Sequence, residues 1–169
     1  GLVNERLIAV HMTQLTEGEI ADCATHGVSI VHNVESNMKL LSGFCPAEAI
    51  RRAGVNLAMG TDGCASNNDL DLFGEMRSAA LVGKLVAGDA AAMDAASVLR
   101  AATLGSARAL GWSDRIGSIE VGKQADLVAV DLDTIESQPV YNVISQLIYA
   151  ASRHQVSDVW IGGERKLRE

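Results

Sequence analysis

Short apolar runs that end in a polar residue recur three times in the first part of the chain. The runs are residues 7–10, 28–31 and 55–61, and the polar residues that follow them are His11, His32 and Asp62, respectively. Buried parallel strands have this pattern, because both faces of such a strand are covered and only its end meets solvent. The stretches between the runs have helical patterns. The sequence therefore predicts three consecutive β-α units in one parallel sheet.

Two of the intervening stretches carry clear helix signals. Thr16 and Glu19 form a Ser/Thr-x-x-Glu capping box, so we expect a helix that runs to about Thr25 with Gly27 beyond its end. An amphipathic stripe over residues 69–86 predicts a longer helix. Residues 32–46 carry Asn, Ser, Gly and Pro at many positions and are interpreted as loops and turns.

The pattern changes after residue 111. Short β runs alternate with glycine turns over residues 116–131, and residues 156–163 have the pattern of a hairpin. An apolar stretch between them, residues 141–151, is predicted to be helical. The strands of this part are too few to bury both faces of a sheet. We therefore divide the chain into β/α units over 1–111 and a partial small β domain over 112–169.

Composition limits the classes of protein that the chain can represent. With 169 residues, 48% hydrophobic and 21% charged, it can bury a core and is not a disordered chain. A net charge of −7 argues against a nucleic-acid partner, and no apolar run is long enough to span a membrane. Three cysteines without a C-x-x-C motif predict reduced thiols and a cytoplasmic location. Because Gly1 leads almost at once into a strand, we expect the C-terminal part of a longer protein.

The carboxyl ends of parallel strands share one edge of a sheet, so His11, His32 and Asp62 are expected at a common site. One carboxylate and two imidazoles suit metal-assisted hydrolysis. A bound metal lowers the pKa of water to about 7. A carboxylate can bind that metal and accept a proton, and a neutral histidine can donate to a developing oxyanion or leaving group. The alternative for Asp62 is a turn residue, since Thr-Asp-Gly is a common turn string.

Two other polar features have simpler interpretations. His26 falls in the last turn of the first predicted helix, at the end of the unit opposite to the site, and is interpreted as structural or solvated. The spacing His32-x-x-Glu35 suggests a ligand and base pair. It falls on a predicted loop, however, where that spacing does not bring two side chains onto one face.

Several of these segments resemble the amidohydrolase superfamily, and in particular its TRZ/ATZ-type hydrolases. The segments that carry this resemblance are 9–16, 32–40 and 60–68. Residues 42–46 and 68–72 look like the corresponding segments of 5-methylthioadenosine/S-adenosylhomocysteine deaminases, and residues 117–128 are similar to the returning β-sandwich segment of the superfamily. The resemblance covers nearly the whole chain in the family's order.

The resemblance implies an α/β fold: the C-terminal portion of a metal-dependent (β/α)8 TIM barrel, followed by part of a small β-sandwich domain. It implies that Asp62 ends strand eight, binds one divalent metal and transfers protons. The metal is expected to be zinc, with iron or manganese as alternatives. His11 then ends strand six and hydrogen-bonds the water or the tetrahedral intermediate. His32 ends strand seven and lines the pocket, and Ser66 contacts the nucleoside.

Part of the family's site is not in this sequence. The His-x-His pair after strand one, and the histidine followed by a general-base glutamate after strand five, are expected N-terminal of Gly1. We therefore expect the whole protein, as a homo-oligomer, to deaminate an adenosine-type nucleoside, and the chain alone to be inactive. The alternatives are a guanine or 8-oxoguanine deaminase, an s-triazine hydrolase, and a non-catalytic truncated barrel segment.

Overall fold

The computed structural model describes residues 1–168, which contain two three-stranded sheets. The three apolar runs form a parallel sheet in the order β1-β2-β3, as predicted. Its strands are β1 (Ile8–Val10), β2 (Ser29–His32) and β3 (Asn56–Met59). Ser29 lies opposite Ile8 on one side and opposite Asn56 on the other, so the three strands are aligned and end at one edge.

Helices follow each strand of the parallel sheet. They are α1 (Glu17–Thr25), α2 (Val34–Lys39), α3 (Ala47–Arg52), α4 (Leu72–Ala87), α5 (Ala95–Arg100), a π-helical turn (Ala101–Gly105) and α6 (Ser106–Ala109). The π-helical turn packs directly on β3. A Cβ on Gly105 would overlap the carbonyl oxygen of Leu57, so only glycine allows this approach.

The remaining residues form an antiparallel sheet in the order β4-β5-β6, together with one α-helix. These elements are β4 (Leu127–Val130), a 3-10 turn (Ile135–Ser137), α7 (Val143–Tyr149), a second 3-10 turn (Arg153–Gln155), β5 (Val156–Ile161) and β6 (Glu164–Arg168). The predicted hairpin and helix are confirmed. The predicted β runs over 116–131 yield only β4, because residues 116–126 form turns.

The two strongest helix signals have different outcomes. The capping box is present: the Thr16 hydroxyl accepts from the Glu19 N–H, and the Glu19 carboxylate accepts from the Thr16 N–H at 2.8 Å. The long helix begins three residues later than predicted, at Leu72. Asp71 is its N-cap and accepts from the Phe73 N–H at 2.9 Å, which sets the start of the helix.

The interpretation of residues 32–40 as a loop is wrong, because α2 occupies most of that segment. The side chain of Asn33 makes no cap hydrogen bond to this helix. Instead, the N–H of Glu35 in its first turn donates to the carboxylate of Glu75 on α4. A partner 40 residues away leaves no signal in the local sequence, which explains why the helix was missed.

The core lies between the parallel sheet and its helices. Its fully buried members include Val28, Ile30, Ile50, Val98 and Ile148. Ile148 belongs to α7, which packs on α4 and α5, so this helix of the second segment contributes to the core of the first. The division at residues 111 and 112 stays a prediction. Within residues 1–168, every helix is too short or too polar to reach across a membrane.

Glu48 on α3 is a buried carboxylate that ties α3 to the segment before α5. It accepts hydrogen bonds from Arg51 (2.7 Å), from Arg52 (2.6 Å) and from the buried N–H of Met93 (3.0 Å). The hydrogen bond from Arg51 is the largest cause that lowers the pKa of Glu48 to about 2. Glu48→Gln removes the carboxylate that pairs with Arg51, whereas Arg52 keeps its ion pair with Asp89 at 2.7 Å.

We therefore expect Glu48→Gln to lower the free energy of unfolding by about 1 to 2 kcal/mol, because a neutral amide replaces the charged acceptor while the Arg51 and Arg52 side chains stay solvated at 38% and 59% exposure. Urea denaturation measures this change. Glu136→Gln is the matched control, because Glu136 is exposed, and it should change the free energy by less than about 0.5 kcal/mol. Equal effects of the two substitutions would show that Glu48 does not stabilise the fold.

Candidate active site at the strand ends

His11 and Asp62 come together at the carboxyl edge of the parallel sheet. His11 directly follows β1, and its N–H donates to the carbonyl of Val31 at 3.0 Å, which extends the ladder between β1 and β2. Asp62 follows β3 after two residues. The Nε2 atom of His11 lies 3.8 Å from Oδ2 of Asp62, and their side chains are 39% and 30% exposed. A solvent molecule or a ligand can therefore reach both groups.

The helix α2 holds both side chains in place. The hydroxyl of Ser36 donates to Oδ2 of Asp62 at 2.6 Å. The side-chain oxygen of Asn37 lies 2.8 Å from Nδ1 of His11. An amide oxygen only accepts, so with the Asn37 amide in this orientation the ring proton of neutral His11 lies on Nδ1, while the Asn37 nitrogen has no hydrogen-bond partner among residues 1–168. The Nε2 atom, which faces Asp62, is then the atom that can accept a proton.

Asp62 is negatively charged at neutral pH. The hydrogen bond from Ser36 is the largest cause that lowers the pKa of Asp62 to about 2, followed by the Ser66 side chain nearby and the Gly63 N–H. The Gly63 N–H donates to Oδ1 at 2.8 Å. The Ser36 hydroxyl and the Gly63 N–H favour the ionised carboxylate because they hydrogen-bond to it. A carboxylate with this charge and exposure is suited to bind a cation.

The backbone is strained at both residues. His11 has φ +69° and Asp62 has φ +66°, which is the left-handed region that residues with a Cβ seldom occupy. Each such residue costs about 1 kcal/mol or more, and persists only where the surrounding structure enforces it. The strain lies after the first and third strands, at the two residues whose side chains approach each other.

His32 ends β2, and its side chain is buried at 2% exposure. Its Nδ1 atom has no hydrogen-bond partner among residues 1–168. Burial lowers the pKa of His32 to about 4, so the ring is neutral at pH 7. No hydrogen bond within the described part of the chain joins this ring to His11 or Asp62. His32 is thus a neutral group beneath the pair, with one ring nitrogen unused.

Ser66 lies beside Asp62 on the segment that follows β3. Its hydroxyl donates to the carbonyl of Gly63 at 3.1 Å, and the nearness of its side chain to Asp62 contributes to the lowered pKa of that carboxyl. The structure therefore brings together three of the four predicted site residues: His11, Asp62 and Ser66. Their roles in catalysis and binding stay predictions.

Sequence reasoning missed the groups that hold the site. Ser36 and Asn37 stood in a string that was interpreted as a loop. A helical interpretation would have placed both near the strand ends as hydrogen-bonding residues. The contact of Asn67 with Glu75, 2.9 Å long, has no local signal in the sequence, because the two residues lie eight positions apart, one in the segment after β3 and the other in α4.

Asp62 provides a donor of a type that zinc accepts, and its ionisation suits that role. The described residues gather no group of three or more histidine, cysteine, aspartate or glutamate side chains that could hold a metal ion. Protein metal sites of the catalytic type use at least three protein ligands. The donors of residues 1–168 do not form a complete metal site by themselves, and the role of Asp62 as a metal ligand stays a prediction.

A family model described as the amidohydrolase family matches residues 1–166, so the chain belongs to this family. This confirms the resemblance inferred from the sequence. The chain is 50% identical over 168 residues to a 5-methylthioadenosine/S-adenosylhomocysteine deaminase of Teredinibacter turnerae, covering 99% of this chain and 38% of that protein. It is 47% identical to the protein of the same name from Halobacterium salinarum, covering 100% of this chain and 39% of that protein.

Solved structures give the same result. A crystal structure of an adenosine deaminase from Xanthomonas campestris with bound zinc superposes with a TM-score of 0.99 at 72% identity, covering 99% of this chain and 38% of that one. Atrazine chlorohydrolase from Arthrobacter aurescens, complexed with zinc, superposes with a TM-score of 0.92 at 29% identity, covering 98% of this chain and 37% of that one. The chain spans about two fifths of the length of these relatives.

The buried state of His32 gives a pH dependence of stability. The pKa of His32 is about 4 in the folded chain, whereas the ordinary value for histidine, which applies to the unfolded chain, is 6.5. Between pH 4 and pH 6.5 the unfolded chain therefore binds more protons than the folded chain. The free energy of unfolding therefore falls as the pH drops from about 6.5 to about 4. We expect this group to contribute on the order of 3 kcal/mol across that window, at 1.36 kcal/mol per pKa unit.

Urea denaturation at pH 7 and pH 5 checks this prediction. His32→Asn should lose a large part of the pH dependence that the parent protein shows. His26→Asn should keep it, because His26 is exposed at the end of α1. Identical pH dependence in the parent and in His32→Asn would contradict the account of a buried, neutral imidazole.

Proposed function

We propose that this chain is the C-terminal portion of a metal-dependent hydrolase that deaminates an adenosine-type nucleoside. The substrates are 5-methylthioadenosine and S-adenosylhomocysteine, and the products are the inosine analogue and ammonia. The single observation that carries the proposal is the pairing of His11 with an ionised Asp62 at one edge of the parallel sheet. The names of the relatives at 47–50% identity support the choice of substrate.

The proposed architecture is the end of a (β/α)8 barrel followed by part of a β-sandwich. Three parallel strands in sequential order, each followed by helix, support the barrel. Ile8 and Val10 on the outer strand β1 are 40% and 43% exposed, which is typical of a strand that lacks its neighbour. A complete barrel takes about 250 residues. The sheet β4-β5-β6 is the proposed portion of the sandwich.

Asp62 is the ligand that this chain contributes to the metal and also a proton acceptor. A bound divalent ion supplies hydroxide at neutral pH for attack on an aromatic carbon. Zinc is the first choice, because relatives are crystallised with it, and iron and manganese remain alternatives. The other ligands are proposed to lie upstream, so residues 1–169 alone do not catalyse the reaction.

The proposed reaction uses one water molecule. The water oxygen bonds to the ring carbon that carries the amino group, the carbon–nitrogen bond breaks, and ammonia leaves. One water proton passes through Asp62 to the departing amine. The other reaches the ring nitrogen by way of the general-base glutamate that is expected upstream. The nucleoside gains oxygen and loses nitrogen, so all atoms are accounted for.

His11 orients the reacting oxygen. Because Asn37 holds the proton of neutral His11 on Nδ1, Nε2 accepts a hydrogen bond from the attacking water. In the tetrahedral adduct the same atom accepts a hydrogen bond from the hydroxyl that the water has become, which keeps that oxygen in place until its proton is transferred. Ser66 and His32 are the proposed contacts to the nucleoside, Ser66 from the segment beside Asp62 and His32 from the end of β2.

Two further candidates belong to the same scaffold. The atrazine chlorohydrolase structure, at a TM-score of 0.92, favours an s-triazine hydrolase as the second candidate. A guanine or 8-oxoguanine deaminase also remains, since a guanine deaminase shares the fold at 23% identity. A non-catalytic segment is the fourth possibility. Homo-oligomerisation and a cytoplasmic location stay predictions from the sequence.

The decisive experiment is turnover by the full-length protein with zinc. We expect the protein to deaminate 5-methylthioadenosine or S-adenosylhomocysteine and to turn over little guanine or triazine. The change in ultraviolet absorbance measures the reaction.

Asp62→Asn should lower kcat by at least about 10³, because it removes charge and a proton acceptor. Asp62→Ala should also lose metal. The control Asp69→Asn should keep kcat within about threefold, because Asp69 only accepts a hydrogen bond from a local N–H.

A second prediction concerns His11. His11→Ala in the full-length protein should lower kcat by about 10² to 10⁴, the usual contribution of a positioned acid–base group. Its metal content, measured by atomic emission, should stay at the parent level, because His11 acts on the water in this proposal. Loss of stoichiometric metal in His11→Ala would show instead that His11 is a ligand.

A further inference from the structure

Glu75 is a fully buried carboxylate that the proposed reaction does not use. It lies in the first turn of α4, and its exposure is 0%. Acidic side chains are seldom fully buried unless they have partners, because removing the charge from water is costly. The partners of Glu75 therefore indicate why a carboxylate is present at this position.

Its two oxygens contact two different segments. Oε1 accepts from the side-chain nitrogen of Asn67 at 2.9 Å, and Oε2 accepts from the N–H of Glu35 at 3.3 Å. Asn67 belongs to residues 63–70, which we call the Asp62 loop because they follow that residue. Glu35 lies in the first turn of α2. One carboxylate thus joins the Asp62 loop to α2.

Both segments hold the proposed catalytic pair. From α2, Ser36 donates to Asp62 at 2.6 Å, and Asn37 contacts His11 at 2.8 Å. A shift of α2 would therefore move the partners of both groups at once. The Asp62 loop begins with Gly63, whose N–H donates to Asp62 at 2.8 Å, and it carries Ser66, whose hydroxyl donates to the carbonyl of Gly63 at 3.1 Å.

The amide of Asn67 is fixed in one orientation. Its side-chain oxygen accepts from the N–H of Leu70 at 2.7 Å and of Asp69 at 3.3 Å, within the same loop. Its nitrogen therefore has to face Glu75. Rotating the amide by 180° would break all three contacts, so Asn67 needs an acceptor at position 75.

Two other charged side chains also contact the Asp62 loop. Lys39 donates to the carbonyl of Ala65 at 2.9 Å and to the side chain of Asn68, and Arg153 donates to the carbonyl of Asp69 at 2.9 Å. These contacts are exposed to solvent, which weakens them. Within the described residues, Glu75 is the buried group that contacts both the loop and α2.

We propose that Glu75 is a positioning residue, which holds α2 and the Asp62 loop in the arrangement that places Ser36 on Asp62 and Asn37 on His11. This inference rests on the proposed function in one respect: the kinetic tests below measure the effect of Glu75 as deaminase activity.

The surroundings of Glu75 act on its ionisation in opposite directions. Burial is the largest cause that raises its pKa to about 7, and the charge of Glu35 acts in the same direction. The N–H groups of Glu35 and Val34 and the amide of Asn67 lower the pKa. The carboxylate of Glu35 itself accepts from the hydroxyl of Ser78 at 2.7 Å.

Glu75→Gln separates hydrogen bonding from side-chain size. The new amide can accept from the N–H of Glu35 with its oxygen, but its nitrogen then faces the nitrogen of Asn67, and two donors oppose each other. In the full-length zinc enzyme we expect kcat/KM to fall about 10- to 100-fold, the effect of leaving a buried polar group without its partner.

The reversed pair is the sharper test. In the double variant Asn67→Asp with Glu75→Gln, the glutamine nitrogen donates to the new aspartate and its oxygen still accepts from Glu35. The other oxygen of that aspartate still accepts from Leu70 and Asp69. Every hydrogen bond is restored with one polarity reversed, so kcat/KM should recover to within about threefold of the parent enzyme.

Glu17→Gln is the matched control, because Glu17 is exposed on α1, and it should leave kcat/KM unchanged. Parent-level kcat/KM in Glu75→Gln would overturn the proposal. A double variant whose kcat/KM is no higher than that of Glu75→Gln alone would also overturn it, whether the double variant loses activity or fails to fold. A residue that only stabilised the fold would not give recovery through a reversed hydrogen bond.

Hydrogen–deuterium exchange provides a readout that is independent of the reaction. Glu75→Gln should speed exchange in the Asp62 loop and in α2, and the double variant should restore protection. If the parent protein shows no deaminase activity, the proposed function fails, and the exchange data still test the role of Glu75. Unchanged exchange in Glu75→Gln would overturn the inference even if the parent enzyme deaminates its substrate.

Discussion

The hydrogen bond from Ser36 to Asp62, 2.6 Å long, joins α2 to the end of β3, and the geometry of the whole candidate site depends on it. It favours the ionised carboxylate and fixes which oxygen faces His11. The next residue of α2, Asn37, orients the ring of His11 in the same way. Two adjacent residues of one short helix therefore set both the charge of Asp62 and the tautomer of His11. A site built this way can be precise only if α2 itself is held, and Glu75 is the buried group placed to hold it.

The same constraint accounts for backbone strain at the site. His11 and Asp62 both adopt positive φ, which costs stability and would relax if their side chains had no partners. Hydrogen bonds from α2 and from the Gly63 N–H offset that cost. Buried His32 adds a second cost, because it has to be kept neutral. Strain and unsatisfied polar groups thus concentrate at one edge of the sheet, as expected where a structure is organised for binding or catalysis rather than for stability.

Features with a local cause could be predicted from the sequence. The three parallel strands follow from apolar runs, the start of α1 follows from the Thr16–Glu19 capping box, and the meeting of His11 and Asp62 follows from the shared edge of parallel strands. Features with a distant partner could not be predicted. The first turn of α2 depends on Glu75, which is 40 residues away. The packing of α7 on the first segment likewise depends on contacts between residues far apart in the chain.

The central claim is that Asp62 binds the metal while His11 acts on the reacting oxygen. Anomalous diffraction at the zinc absorption edge, from crystals of the full-length protein grown with zinc, tests this claim most directly. The account predicts a zinc peak within bonding distance of an Asp62 carboxylate oxygen, with His11 outside that distance. A peak bonded to His11 without Asp62, or no peak next to Asp62, would contradict it.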